Sequence, residues 1–160
     1  MEPDFSKYAL AGDNSMYADK SGLVVPFVTR GGLEAGATGQ SAGATRVSGV
    51  SVQHTPATRL WFGKVSNEPG YRSVTHHHGE AETGGYVLSG RARIYFGETF
   101  EDYVDMAEGD WVFVPPFMPH IECNLSRSRP LTWMTARTPE NIVVNLPDVA
   151  DAELRDWLNR

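Results

Sequence analysis

Between residues 47 and 146 the chain repeats one pattern: short runs rich in valine, isoleucine, tyrosine, phenylalanine and tryptophan, separated by glycine, proline, asparagine and serine. Such runs are β-strands, because branched and aromatic side chains fit a pleated, half-buried surface while the separators turn the chain. The pattern predicts strands over 47–52, 59–65, 71–76, 86–88, 91–96, 100–106, 111–114, 121–125, 131–137 and 142–146. Ser89-Gly90 reads as a tight hairpin between two of them. The run 100–106 alternates poorly and carries Glu101, Asp102 and Asp105, which suits an exposed edge. The unbroken apolar run 111–114 suits core. Many short strands at even spacing predict an all-β domain, closed or sandwiched.

The two ends depart from this pattern. Residues 1–22 are polar, with Phe5, Tyr8 and Met16 as scattered anchors, and 23–29 reads as an added edge strand. The segment 31–49 is rich in glycine, alanine, serine and threonine and reads as a flexible loop or lid. Gly31 and Gly36 have the spacing of phosphate-loop glycines, but Ala37 stands where the lysine must be, which removes that reading. At the C-terminal end Asp151 can cap a helix, Glu153 lies in its first turn, and Leu154, Trp157 and Leu158 share one face. The expected organisation is an N-terminal arm and loop over 1–45, a barrel over 46–147 and a helix over 148–160.

Composition narrows the partners. A net charge of −6 argues against nucleic acid or an anionic membrane, since neither attracts an acidic surface. No basic leader and no stretch long enough to span a bilayer is visible, so a cytoplasmic location is expected. The single cysteine, Cys123, has no internal disulfide partner and is expected as a buried, reduced thiol. No Gly-x-Ser-x-Gly elbow and no CxxC pair occurs, and the sequon Asn124-Leu125-Ser126 carries little weight without a secretion signal.

The candidate chemistry is concentrated in two stretches, 70–90 and 109–124. Alternate side chains on a strand share a face, so His76 and His78 point together and His77 points away. Acidic side chains follow at Glu80 and Glu82, and His120 stands in the second stretch. Neutral imidazoles and a carboxylate converging from separate strands suit a divalent transition metal. His54, by contrast, reads as a solvated side chain.

The same two stretches resemble the paired motifs of the cupin superfamily. Gly70, His76, His78, Glu82 and Gly90 fill the first motif, and Gly109, Pro115, Phe117, His120 and Asn124 the second. The resemblance implies a small single-domain cupin: a jelly-roll β-barrel, expected as a homodimer, holding one divalent transition metal per subunit. Iron comes first, with manganese, nickel, cobalt or zinc also compatible. It further implies a metal-dependent enzyme acting on a small organic acid or a phenolic or aromatic compound, such as an Fe(II) dioxygenase. The alternatives are a non-oxidative lyase, isomerase or cyclase, and a small-molecule-binding cupin without turnover. Expected metal ligands are His76, His78, Glu82 and His120, and Arg59, Tyr86 and Trp133 are the catalytic candidates.

Two departures from the motifs leave alternatives open. Seven residues rather than six separate Glu82 from Gly90, so counting back from the glycine puts Thr83 in the acidic slot. A bulge at Gly84-Gly85 would absorb the extra residue and let Glu82 point inward; otherwise Glu80 serves, or three histidines with water. The second departure is Phe117, which stands where the motif has glycine.

Overall fold

The computed structural model describes residues 26–31, 33, 34 and 42–158. The expected arm over 1–22 and the first part of the 23–29 strand lie outside the described residues. Residues 26–29 carry no regular structure, and Phe27 and Val28 are exposed.

Among the described residues eleven strands follow in chain order: β1 (Leu33–Glu34), β2 (Ala44–Val50), β3 (Trp61–Asn67), β4 (His76–His77), β5 (Glu82–Ser89), β6 (Arg91–Phe96), β7 (Asp102–Ala107), β8 (Trp111–Val114), β9 (Ile121–Asn124), β10 (Leu131–Thr138) and β11 (Val144–Asn145). They form a six-stranded sheet in the order β1-β2-β3-β10-β5-β8, a three-stranded sheet β7-β6-β9 and a two-stranded pair β11-β4. Every pairing is antiparallel. The all-β barrel expected from the sequence is thus present. Among the described residues no helix is long and apolar enough to cross a membrane.

Alternation along β3 and β10 sends one set of side chains inward, where Trp61, Val65, Leu131 and Trp133 meet Ala92 and Ile94 from β6 and Met106 from β7. This is the main apolar core, and burying each such large side chain stabilises the fold by roughly 1.5–3 kcal/mol. Strand β6 is buried on both faces. From its other face Tyr95 joins Phe100, Ile121, Cys123, Leu154 and Trp157 in a second cluster. The expected C-terminal helix is realised only as a 3-10 turn, Asp151–Glu153. Leu154 turns to extended backbone, with φ −81° and ψ 123°, which ends the winding, yet Leu154 and Trp157 are buried against the barrel as their spacing suggested.

Two further expectations need correction. The run 111–114 is not core: β8 is the outer strand of its sheet, Trp111 is 79% exposed and Phe113 60%, and only Val114 is buried. The loop expected over 31–49 is in part sheet, since Ala44 opens β2 and Leu33–Glu34 pairs with it. The expected edge at 100–106 is β7, the outer strand of the three-stranded sheet.

Candidate metal centre

The two motif stretches are tied together at the backbone. The His76 amide donates to the His120 carbonyl at 3.1 Å, and the His120 amide returns a bond to the His76 carbonyl at 2.9 Å. Such a reciprocal antiparallel pair places the two side chains directly opposite each other, and their ring centroids are 4.4 Å apart. His78 lies two positions along from His76 on the same face, 5.0 Å from the His76 ring and 4.9 Å from that of His120. His77 points away, accepts a bond from the Gly79 amide and lies near the Phe117 ring.

The fourth member is Glu122. Its Oε1 lies 3.7 Å from His120 Nε2 and 4.0 Å from His76 Nε2. The ligand atoms of His76, His78, His120 and Glu122 all lie within 4.8 Å of one another, and all four residues are buried. Glu82 is exposed on β5 and stands outside this group, as does exposed Glu80. The register explains why. Thr132 faces Ser89 and Trp133 faces Val87, so the extra residue is absorbed at Leu88 and not at Gly84-Gly85. The strand therefore stays regular through 82–87, with Thr83, Gly85 and Val87 inward and Glu82 outward. Thr83 fills the acidic slot, and its hydroxyl accepts from Arg137 Nε at 3.3 Å. The sequence did carry a sign of Glu122: two residues beyond His120 on a strand, it shares the histidine's face by the same parity that pairs His76 with His78.

Each imidazole is held in the tautomer a metal needs. Nδ1 of His76, His78 and His120 lies 2.9 Å from the carbonyl oxygen of Val74, Ile142 and Met118 respectively. A carbonyl can only accept, so Nδ1 carries the proton and Nε2 presents a lone pair to the cluster. Nε2 of His76 and of His120 is buried without a hydrogen-bond partner among the described residues. Orphaned acceptors in a dry interior are costly. Three lone pairs and a carboxylate converging there fit a cation, and the donor set suits a first-row divalent ion.

Electrostatics agree. Burial lowers the His76 pKa to about 4, and burial with the nearby Arg137 charge lowers that of His78 to about 2, so both rings are neutral at physiological pH. Burial alone would raise the Glu122 carboxyl, yet the group is held well below the usual carboxylate range, because the ionised form is favoured by any proton that the facing rings of His120, His76 or His78 take up.

Beside the cluster, Arg46 and Arg137 enter the barrel from β2 and β10, 5% and 2% exposed. Arg137 Nη2 donates to His78 Nε2 at 3.1 Å, and Nη1 donates to Asn141. With Thr83, Glu122 and Trp133 these arginines line an interior space of about 10 Å³, room for roughly one water. An outer cavity of about 600 Å³, bordered by Phe96, Met106, Trp111 and Met118, is separated from it by Ile94, Val112 and Val114, which line both. Of the catalytic candidates only Trp133 lines the interior, its Nε1 donating to Asn67. Tyr86 stacks on Trp111 on the outer face, and Arg59 is exposed in the loop before β3; neither reaches the cluster. Parity across loops hid this, and hid Arg46 and Arg137. Phe117 has φ 58° and its amide donates to the Gly79 carbonyl at 2.7 Å. The left-handed backbone accounts for the glycine that the motif has there.

A family model described as Cupin domain matches residues 63–137. Among solved structures, an uncharacterized conserved protein with a double-stranded β-helix domain from Klebsiella pneumoniae subsp. pneumoniae MGH 78578 is 17% identical, over 67% of this chain and 87% of its own, with a TM-score of 0.55. Lactobacillus farciminis oxalate decarboxylase, as a formate complex, is 19% identical over 66% of this chain and 32% of its own, with a TM-score of 0.57. Bacillus subtilis oxalate decarboxylase, which has Mn(II) centres, is 22% identical over 66% and 29%, with a TM-score of 0.56. At such identities the likeness is one of fold, and this chain spans less than a third of either decarboxylase. No curated protein matches the sequence.

Proposed function

This chain carries a cupin domain, and from that premise we propose that it is a metal-dependent enzyme acting on a small organic acid or a phenolic compound. The observation that carries the reading is the buried convergence of His76, His78, His120 and Glu122, with Nε2 of His76 and His120 without a hydrogen-bond partner among the described residues. The four residues would hold one divalent ion, iron first, with manganese, cobalt, nickel or zinc compatible. Such an ion supplies Lewis acidity or, as Fe(II), dioxygen chemistry.

The protein's own part is positional. Backbone carbonyls of Val74, Met118 and Ile142 fix the rings, and Glu122 supplies the one negative ligand. Trp133 and Val114 give the inner space part of its apolar wall. The outer cavity offers an apolar approach, closed off by Val112 and Val114. A homodimer belongs to the same proposal: exposed Trp111 and Phe113 are side chains that a second copy would cover, and sedimentation would read the dimer directly.

The test is to load metal-free protein with Fe(II) or Mn(II) and offer small carboxylic and phenolic acids. Oxygen uptake is followed by electrode and products by NMR. Turnover that disappears in His120→Ala supports the reading. Metal-loaded protein that binds these acids and releases them unchanged would leave a binding module instead.

A further inference from the structure

On the opposite face of the three-stranded sheet from the histidine cluster lies a separate cavity of about 250 Å³. Alternation along β9 keeps the two apart: Glu122 turns to the cluster, while Cys123 turns to the face that carries Arg93 and Tyr95. Arg91 and Arg93 of β6, Asp105 of β7, Leu125 and Arg127 after β9, and Asp156 and Leu158 of the C-terminal turn form its walls.

The charges around it are unequal. Arg93, 5% exposed, is matched by Asp105. Arg91 makes no hydrogen bond or ion pair among the described residues, and Arg127 makes one long bond there, from Nη2 to the Leu158 carbonyl at 3.4 Å. Asp156 is the other carboxylate of the wall, and it already accepts from the Tyr103 hydroxyl at 3.0 Å. A fourth guanidinium, Arg155, lies 4.8 Å from the Tyr103 ring centroid, over which Arg93 also packs at 3.7 Å. Four cations thus gather around two carboxylates, a local charge of +2 on a chain whose net charge is −6. Guanidinium groups held this close repel one another, and an anion between them removes the repulsion.

The backbone adds a second sign. Asp156 and Leu158 stand at φ 55° and φ 50°, left-handed values that strain any residue with a side chain, and both line the cavity. Strain collects where a ligand or a neighbour holds the chain in place.

We propose that this cavity binds a phosphate dianion, free or as the end of a small phosphate ester, held chiefly by Arg91 and Arg127. Guanidinium groups meet phosphate oxygens in paired N–H···O bonds, and a charge of −2 balances the surplus. Bound there, the anion joins β6, the loop after β9 and the C-terminal turn, so the strained turn is the part it fastens. The inference does not depend on the metal reading, since none of the lining residues belongs to the four-ligand cluster.

The experiment is calorimetric. Metal-stripped full-length chain is titrated at about pH 8, where phosphate is a dianion, with sodium phosphate, methyl phosphate or sodium acetate at constant ionic strength. Saturable phosphate binding is expected, with acetate at least about tenfold weaker, and Arg91→Met and Arg127→Met each weakening phosphate by at least about tenfold. Both arginines are exposed, so the variants should fold, and phosphate should raise the melting temperature of the wild type more than theirs. Arg59→Met, changed at an exposed position before β3 in the other sheet, and His120→Ala should bind phosphate as the wild type does. Tighter binding of methyl phosphate than of phosphate assigns the site to an ester; otherwise the free ion is the ligand. No saturable binding, acetate binding as tightly, affinity unchanged in both arginine variants, or loss in Arg59→Met or His120→Ala overturns the inference.

Discussion

Arg93 and Arg137 are both buried, on β6 and β10, and their surroundings differ in kind. Arg93 meets Asp105 through two parallel bonds, Nε to Oδ1 at 2.5 Å and Nη2 to Oδ2 at 2.8 Å. Its guanidinium lies 3.7 Å from the Tyr103 ring centroid, and Nη1 donates to Tyr95 and to the Asp156 carbonyl. Charge is matched one to one, and Asp105 holds the Arg93 pKa above its ordinary value. Arg137 donates to a hydroxyl, an amide oxygen and an imidazole, none of them charged, and burial lowers its pKa to about 10. The first arrangement pins the C-terminal turn to the barrel. The second keeps a buried positive charge without a charged hydrogen-bond partner next to four side chains that could hold a metal, a cost that structure alone does not explain.

The contrast is broken most severely at the ligands. His120→Ala and Glu122→Gln should each lose at least about a hundredfold in metal affinity, whereas His77→Ala and Glu82→Gln retain it, as read by elemental analysis after dialysis. Retention in Glu122→Gln with loss in Glu82→Gln would reverse the assignment of the carboxylate.

Acid sharpens the comparison next. His76 and His78 have folded pKa values of about 4 and about 2, below the unfolded value of 6.5. The unfolded chain therefore binds more protons as pH falls below 6.5. Metal-free stability is fully present above that pH and declines as pH falls towards the folded values, by about 1.4 kcal/mol per pH unit for each ring. Asp105, whose folded pKa is lowered from 3.8, withdraws its contribution only below that value. Denaturant midpoints at pH 7 and pH 5 should differ in the wild type, and by less in His78→Gln.

Arg93→Met leaves Asp105 without its partner at a partly exposed site. The expected cost is about 2–3 kcal/mol of stability with metal affinity unchanged. A loss of metal would show that the two regions are coupled. The smallest effect is at Phe117, where φ is 58°: Phe117→Gly should be about 1 kcal/mol more stable than Phe117→Ala, because only glycine takes that backbone without strain.

Strand periodicity made most of the barrel legible, and the His-x-His parity with the second motif made three imidazoles legible. The carboxylate was not, because β5 absorbs its extra residue at Leu88, a position that no local composition marks, and this leaves Glu82 in solvent. The run 111–114 looked like core because hydrophobicity does not reveal which strand ends up at the edge of a sheet. Arg46 and Arg137 were invisible as site residues because their place inside the barrel depends on pairing between strands far apart in sequence. The C-terminal spacing of Leu154 and Trp157 read true as a buried face, although the winding stops after one turn.

The most direct measurement is the metal content of the wild-type protein after it is loaded with Fe(II) or Mn(II) and freed of loose ions by gel filtration. The expected result is one ion per chain, held through His76, His78, His120 and Glu122. Protein that emerges with none, and whose melting temperature no divalent metal raises, would contradict the account.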